Sequence, residues 1–203
     1  METILIKNKK FTIESIKASH PDHISYICSY CGVRYLVRVY MAGYEEALSE
    51  YKTLKHAGIN MAKVSYHDDE NKVIAFDYFP EKSVLDILAE KELPEEYFKA
   101  LFSLYRFSRF SKVALDWEPQ NFMLRGSQMF YLPLKQAPMS EVNRLEKEGL
   151  RYWFRGEECL GLLKRKGFDV SSIKPLPTNQ VNKNMLVAHI AASRSLLRFV
   201  IFL

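Results

Sequence analysis

Residues 11–40 carry the two-residue period of β-strands three times over, and that period commits the N-terminal part of the chain to an antiparallel sheet. Phe11-Thr12-Ile13-Glu14-Ser15-Ile16-Lys17 alternates apolar and polar side chains, as a half-buried strand does. Pro21-Asp22 breaks the pattern. Ile24 to Tyr30 forms a second run, Cys31-Gly32 a turn, and Val33 to Tyr40 a third run rich in β-branched and aromatic residues, the composition that suits a pleated surface. After Gly43 the period changes. Tyr44 to His56 places Ala47, Leu48, Tyr51 and Leu54 on one helical face, with Gly58 as its stop. Two shorter strands follow, at 62–67 and 72–78, joined by His67-Asp68-Asp69-Glu70-Asn71. Residues 1–79 are therefore expected to form a five-stranded antiparallel sheet with one helix laid across it.

Pro80-Glu81-Lys82 marks a boundary, and residues 80–203 read as mainly helical. Ser83 caps a short helix to about Glu90. Pro94 opens a longer one with an apolar stripe of Phe98, Leu101, Phe102, Tyr105 and Phe107. Ser140 is expected to start a further helix, with Leu145, Leu150, Trp153 and Phe154 as core contacts. A helix over 157–166 ends at Gly167, Pro175-Leu176-Pro177 is a linker, and a last helix runs from about Val181. The fold class is α+β, with a sheet-bearing first part and a helical second part.

Apolar content of 48% and charged content of 26% are ordinary globular values and exclude wholesale disorder. Charge is unevenly spread: residues 1–143 carry 18 Lys+Arg against 19 Asp+Glu, and residues 144–203 carry 11 against 5. A basic last third suits an anionic ligand at residues 144–203, with nucleic acid or a membrane surface as lesser candidates beside a protein partner. The N-terminal segment holds three lysines by Lys10 and no signal-like apolar run, so a cytoplasmic location is expected. Residues 185–203 are mostly apolar but contain His189, Arg194 and Arg198; each Arg at a bilayer centre costs about 2.5–3.5 kcal/mol. These residues are expected to form a docking helix with both arginines on its solvent face.

Three cysteines give no disulfide framework. Cys28-x-x-Cys31 with His20 and His23 has the residue types of a zinc knuckle. The intervening strand, however, separates the two pairs by roughly 15–20 Å at about 3.3 Å per residue. One zinc needs ligands near 2 Å, so a hairpin turn is the better reading.

The chemistry of the chain is concentrated in Leu115-Asp116-Trp117-Glu118-Pro119-Gln120-Asn121-Phe122-Met123-Leu124. Its D-x-x-x-x-N spacing is that of a phosphoryl-transfer loop, 114–121. There the Asp takes the proton of the attacking hydroxyl and the Asn reaches a metal on the nucleotide phosphates. A turn at Arg125-Gly126-Ser127 and a second strand follow. The far end of such a hairpin normally supplies the main metal carboxylate; here it reads Leu132-Pro133-Leu134-Lys135.

The order of these elements resembles the protein-kinase-like superfamily, in particular the Rio-type kinases, lipopolysaccharide-type kinases and aminoglycoside-type phosphotransferases. The resemblance runs from about Phe11 to Lys135 and implies a two-lobed fold with ATP and Mg²⁺ as cofactors. It puts Arg38 in the place of the phosphate-holding Lys, and Glu50 (or Glu46) in that of its helix partner. Asp77, Tyr78 and Phe79 fall in the stretch that meets adenine, Asp116 at the catalytic base and Asn121 at the metal. Three departures oppose phosphoryl transfer. The loop Ile16–His23 has no Gly and one Pro, so its amides approach phosphate poorly. A planar guanidinium replaces a compact ammonium. Pro133 replaces a carboxylate in a site where magnesium needs one or two, which leaves the metal Asn121 and Asp116, with Glu118 as a candidate substitute. The reading is a pseudokinase acting as a binding or regulatory module, against an active phosphotransferase using Asp116, or a nucleic-acid or membrane adaptor. Trp153, Arg151 and Arg155 are the first candidate contact surface, since aromatics and Arg dominate interface hot spots.

Overall fold

The computed structural model describes residues 2–134, 136–137, 145–146 and 149–200, with side chains through Ile190. The fold is α+β and divides into two compact units, Met1–Thr53 with Met61–Pro80, and Leu54–Asn60 with Glu81–Leu203.

The first unit is a curved antiparallel sheet of six strands in the order β1-β2-β3-β4-β6-β5. The strands are β1 (Thr3–Ile6), β2 (Lys9–Ser19), β3 (His23–Tyr30), β4 (Val33–Tyr40), β5 (Val64–Asp68) and β6 (Val73–Asp77). The expected five strands are all present, and β1 is an addition. It is an edge strand of four residues with Leu5 more than half exposed, too short for a readable period. The curvature brings the turn after β1 to the end of β5, where the Lys7 amide donates to Asp68 Oδ2 at 2.6 Å. Asp68 also accepts from the Glu70 and Asn71 amides, so one carboxylate fixes two turns.

The concave face holds the core of this unit. Ile6, Phe11, Cys28, Val37, Val73 and Ala75 are buried there. The Phe11 ring lies 4.8 Å from Tyr30, 5.5 Å from Tyr35 and 5.4 Å from Tyr66. Burying such a ring stabilises by about 1.5–3 kcal/mol, with about 0.5–1.5 more for each well-placed aromatic pair. β2 is bulged between Ile13 and Ser15, where the sequence puts two polar residues in succession; the extra residue shifts the register so that Ile16, not Ser15, falls opposite Tyr26. Cys31 (φ 50°) and Gly32 (φ 77°) form the β3–β4 turn, with both central residues at positive φ as a tight hairpin requires. The opposite face meets α1 (Tyr44–His56): Tyr51 packs edge-on to Phe76 at 6.0 Å and its hydroxyl accepts from the Val64 amide.

The second unit contains α2 (Val84–Glu90), α3 (Glu95–Phe110), the hairpin β7 (Phe122–Arg125) and β8 (Gln128–Tyr131), α4 (Glu157–Arg165) and α5 (Thr178–Val200). Ser83 and Asp86 form a reciprocal capping box on α2, so the expected cap is present in its strongest form. Pro94 is the residue before α3 rather than its first turn. Phe98, Leu101, Phe102 and Tyr105 are buried, while Phe107 is half exposed and lies against Gly58. Leu145, Leu150, Trp153 and Phe154 are core, the last three in or beside a 3₁₀ turn over Gly149–Trp153. The start of the helix expected from Ser140 lies outside the described residues, and its described end is a 3₁₀ turn rather than an α-helix; the side chains of Arg194 and Arg198 also lie outside the described residues. α5 begins at Thr178, ahead of Val181, because Pro177 accepts the first amides. Among the described residues no helix is long and apolar enough to cross a membrane.

Candidate functional site

Loop 114–121 belongs to the second unit and is held from several sides. Trp117 is buried, its carbonyl accepts from Trp153 Nε1 at 2.8 Å, and its ring stacks on Phe122 at 5.6 Å. Gly149 presses against it: a Cβ there would lie 2.7 Å from Trp117 Cβ. The Asp116 amide donates to the Tyr131 hydroxyl at 3.2 Å, and its Oδ1 accepts from the Glu118 amide at 3.2 Å. The backbone on both sides of Asp116 is thus fixed while its side chain stays at the surface.

Asn121 Nδ2 donates to the Asp116 carbonyl at 3.3 Å, so the five-residue spacing closes the loop on itself. The β7–β8 hairpin pairs Phe122 with Tyr131, and the Leu132 amide donates to the Asn121 carbonyl at 2.8 Å. The chain therefore returns directly beside Asn121, and what it delivers there is Leu132-Pro133-Leu134, with no carboxylate. Lys135 and Glu141 lie outside the described residues. Glu118 is engaged locally: Oε2 accepts from Gln120 Nε2 at 2.7 Å, and Oε1 lies 4.0 Å from Arg165.

Arg38, Glu50, Asp77, Tyr78 and Phe79 lie in the first unit. Arg38 sits on β4 opposite Ile74, its guanidinium 5.6 Å from the Phe76 ring, with Nε buried and without a hydrogen-bond partner among the described residues. Glu50 is half-buried on α1. Asp77 pairs with Tyr35 across the sheet and accepts from the Ser65 hydroxyl. Tyr78 lines an open depression of about 660 Å³ with Glu14, Gly32, Arg34 and Pro80. Arg34 is four strand residues from Arg38, about 13 Å, so the depression and the buried guanidinium are separate places on one strand.

Residues 16–23 read in the sequence as a Gly-free loop carrying the histidine pair His20 and His23. The structure adds a basic aromatic stack beside Arg38. His23 stacks on His20 at 4.7 Å and on Tyr40 at 5.3 Å, and the Asp22 carbonyl accepts from the Met41 and Ala42 amides. Burial, then the Arg38 charge, pushes His23 below its ordinary value, against the pull of Asp22. Burial pushes the Tyr40 phenol up, and Arg38 opposes it. The signal in the sequence is the His pair three apart, whose spacing fits a ring stack as well as a pair of metal ligands. Cys28 is fully buried in the core and Cys31 exposed on its turn; among the described residues no three His, Cys, Asp or Glu group as metal ligands.

Trp153, chosen from sequence as a surface anchor, is fully buried. Its indole N–H holds loop 114–121, and Arg151 pairs with Glu158 at 3.2 Å, so these residues serve the core of their unit.

No protein-family model matches the chain, and no curated protein matches it.

Proposed function

We propose that this chain is a binding or regulatory module built on a protein-kinase-like plan, without efficient phosphoryl transfer. One observation carries the reading: the hairpin after the D-x-x-x-x-N loop brings the chain back to Asn121 through the Leu132–Asn121 hydrogen bond and supplies Pro133 where a metal-binding carboxylate would serve. Asn121 is a neutral amide, and the loop carboxylates beside it are engaged locally, Asp116 with the Glu118 amide and Glu118 with Gln120, so a magnesium–nucleotide complex lacks the dedicated carboxylate that kinase sites use. The Gly-free segment Ile16–His23 and the Phe76-bound Arg38 support the same reading, since neither is shaped to cradle phosphates. In this reading Asp116 and Asn121 keep the loop folded. The ligand is a protein or another anionic partner, met through the basic last third, where Lys164, Arg165 and Lys166 are exposed at the end of α4.

The test is ADP release from ATP with Mg²⁺ or Mn²⁺, comparing the wild type with Asp116→Ala. The reading predicts background rates for both proteins. A wild-type rate that falls tenfold or more in Asp116→Ala would establish Asp116 as a working base and overturn it.

A further inference from the structure

The end of α3 joins positive charge to aromatic surface, in a place that depends on neither the nucleotide reading nor the basic last third. Its sequence runs Arg106-Phe107-Ser108-Arg109-Phe110-Ser111-Lys112, and residues 97–115 contain no Asp or Glu. Phe110 is 89% exposed and Phe107 51%. Single exposed apolar side chains are ordinary. These two rings, however, stand three residues apart, which makes them neighbours on the helix surface, and they alternate with arginines. Arg106 lies four residues before Phe110, one turn away on the same side.

The surface is fixed from beneath. Ser108 is buried and its hydroxyl donates to the Val113 carbonyl at 2.7 Å, while the Ser111 hydroxyl donates to the Ala57 carbonyl at 3.0 Å. Both serines are thus engaged by the fold, and the rings between them face solvent. The second bond brings the turn after α1 to the end of α3, where Gly58 lies against Phe107. Leu54–Asn60 is also free of acids and adds the exposed Lys55 and His56. Lys112 is exposed and ends the helix at φ 56°, a place that glycine usually fills. Arg109 lies 3.8 Å from Glu146. Arg106, Lys112 and Lys55 have no ion pair among the described residues. The helix dipole favours cations in a last turn, but it gives no reason for two exposed rings among them.

We propose that this patch binds single-stranded nucleic acid, with bases stacked on Phe107 and Phe110 and phosphates along Arg106, Lys112 and Lys55. Aromatic faces set in a positive surface suit a single strand, because every base offers a face to stack and every linkage a charge. A duplex keeps its base faces stacked on one another and gains from the charge alone. A bilayer fits less well: a surface helix needs a continuous apolar side to submerge, and that of α3, with Phe98, Leu101, Phe102, Leu104 and Tyr105, is buried in its own unit. An acidic peptide meets the cations but brings no flat partner for the rings.

The experiment is fluorescence anisotropy of the full chain with short labelled oligo-uridylate and oligo-thymidylate, beside a duplex of matched length. The single strands are expected to bind more tightly than the duplex. Three phosphate contacts give a log–log salt slope of about −2.1, or roughly 20-fold weaker binding between about 50 and about 200 mM salt. Phe110→Ala should weaken binding roughly 5- to 100-fold without changing that slope, and Phe110→Trp should retain it. Lys112→Ala should make the slope shallower by about 0.7. The Phe110 ring is 89% exposed, so its variants should melt with the wild type, and a melt of each sample checks this. Tighter binding of uridylate assigns RNA, and tighter binding of thymidylate assigns DNA. Equal affinity for the duplex, an affinity untouched by Phe110→Ala, or displacement of the strand by poly-glutamate at equal charge would overturn the proposal. Binding to phosphatidylserine vesicles without any binding of either strand would overturn it in favour of a membrane surface.

Discussion

Trp153→Phe is the sharpest test of how loop 114–121 is held. The indole is fully buried and its N–H donates to the Trp117 carbonyl at 2.8 Å. Phenylalanine leaves that carbonyl without its donor inside the core, which costs about 1–3 kcal/mol. The smaller ring also loses packing against Phe122, now 5.3 Å away. Scaled from the 3–5 kcal/mol of complete truncation, that adds about 1–2 kcal/mol. The sum, about 2–5 kcal/mol, corresponds to a fall of roughly 4–20 °C in Tm for a chain of this size. Urea denaturation followed by tryptophan fluorescence measures it directly, because Trp117 remains as the reporter. Phe110→Ser is the control: that ring is 89% exposed, and its loss changes stability by less than about 0.5 kcal/mol. A Trp153→Phe protein as stable as the control would refute the claim that the Trp153–Trp117 contact supports the loop.

Other outcomes follow from single contacts. Gly149→Ala forces a Cβ to within 2.7 Å of Trp117 Cβ and costs about 1–3 kcal/mol in the same assay; an unchanged midpoint would contradict the packing described. Hydrogen bonds from the Asn71 and Lys7 amides hold the Asp68 carboxyl at about 2, below its ordinary 3.8. Its stabilisation is therefore complete above about pH 4 and is lost as the pH falls towards 2. Asp68→Asn should flatten that acid limb of stability, and an unaltered pH profile would remove Asp68 from the account. Burial pushes the Cys28 thiol up to about 11 and Cys159 to about 12, so iodoacetamide at pH 8 should modify Cys31 alone in the native protein. Rapid labelling of all three under native conditions would refute the burial of the other two.

How much could be read in advance differs between elements for physical reasons. β2, β3 and β4 announce themselves through alternation and a Cys31-Gly32 turn, and α1 through a one-sided apolar stripe between Gly43 and Gly58. β1 escapes because Ile4-Leu5-Ile6 is too short to show a period. Its turn uses Lys7 at φ 52°, without the glycine that usually marks such a bend. Phe107 fits the stripe of α3 yet faces outward, since a three-and-four spacing cannot tell which edge of a stripe the neighbours reach. Trp153 illustrates the converse: its enrichment at interfaces suggested a surface, whereas the partner that buries it, Trp117, lies 36 residues away and no local pattern reveals it. The loop 114–121 was legible from spacing alone, because Asn121 must reach back to residue 116 for the turn to close.

The central claim, a kinase-like plan kept for binding rather than for phosphoryl transfer, is tested most directly by nucleotide binding with and without metal. The measurement is a thermal-shift titration of the full chain with ATP, in the absence and presence of Mg²⁺ or Mn²⁺. The account predicts that added metal brings no stabilisation beyond that of ATP alone, because Asn121 and Pro133 supply no carboxylate to hold it. A shift that grows with metal concentration and is lost in Asn121→Ala would show a working metal–nucleotide site and contradict the account.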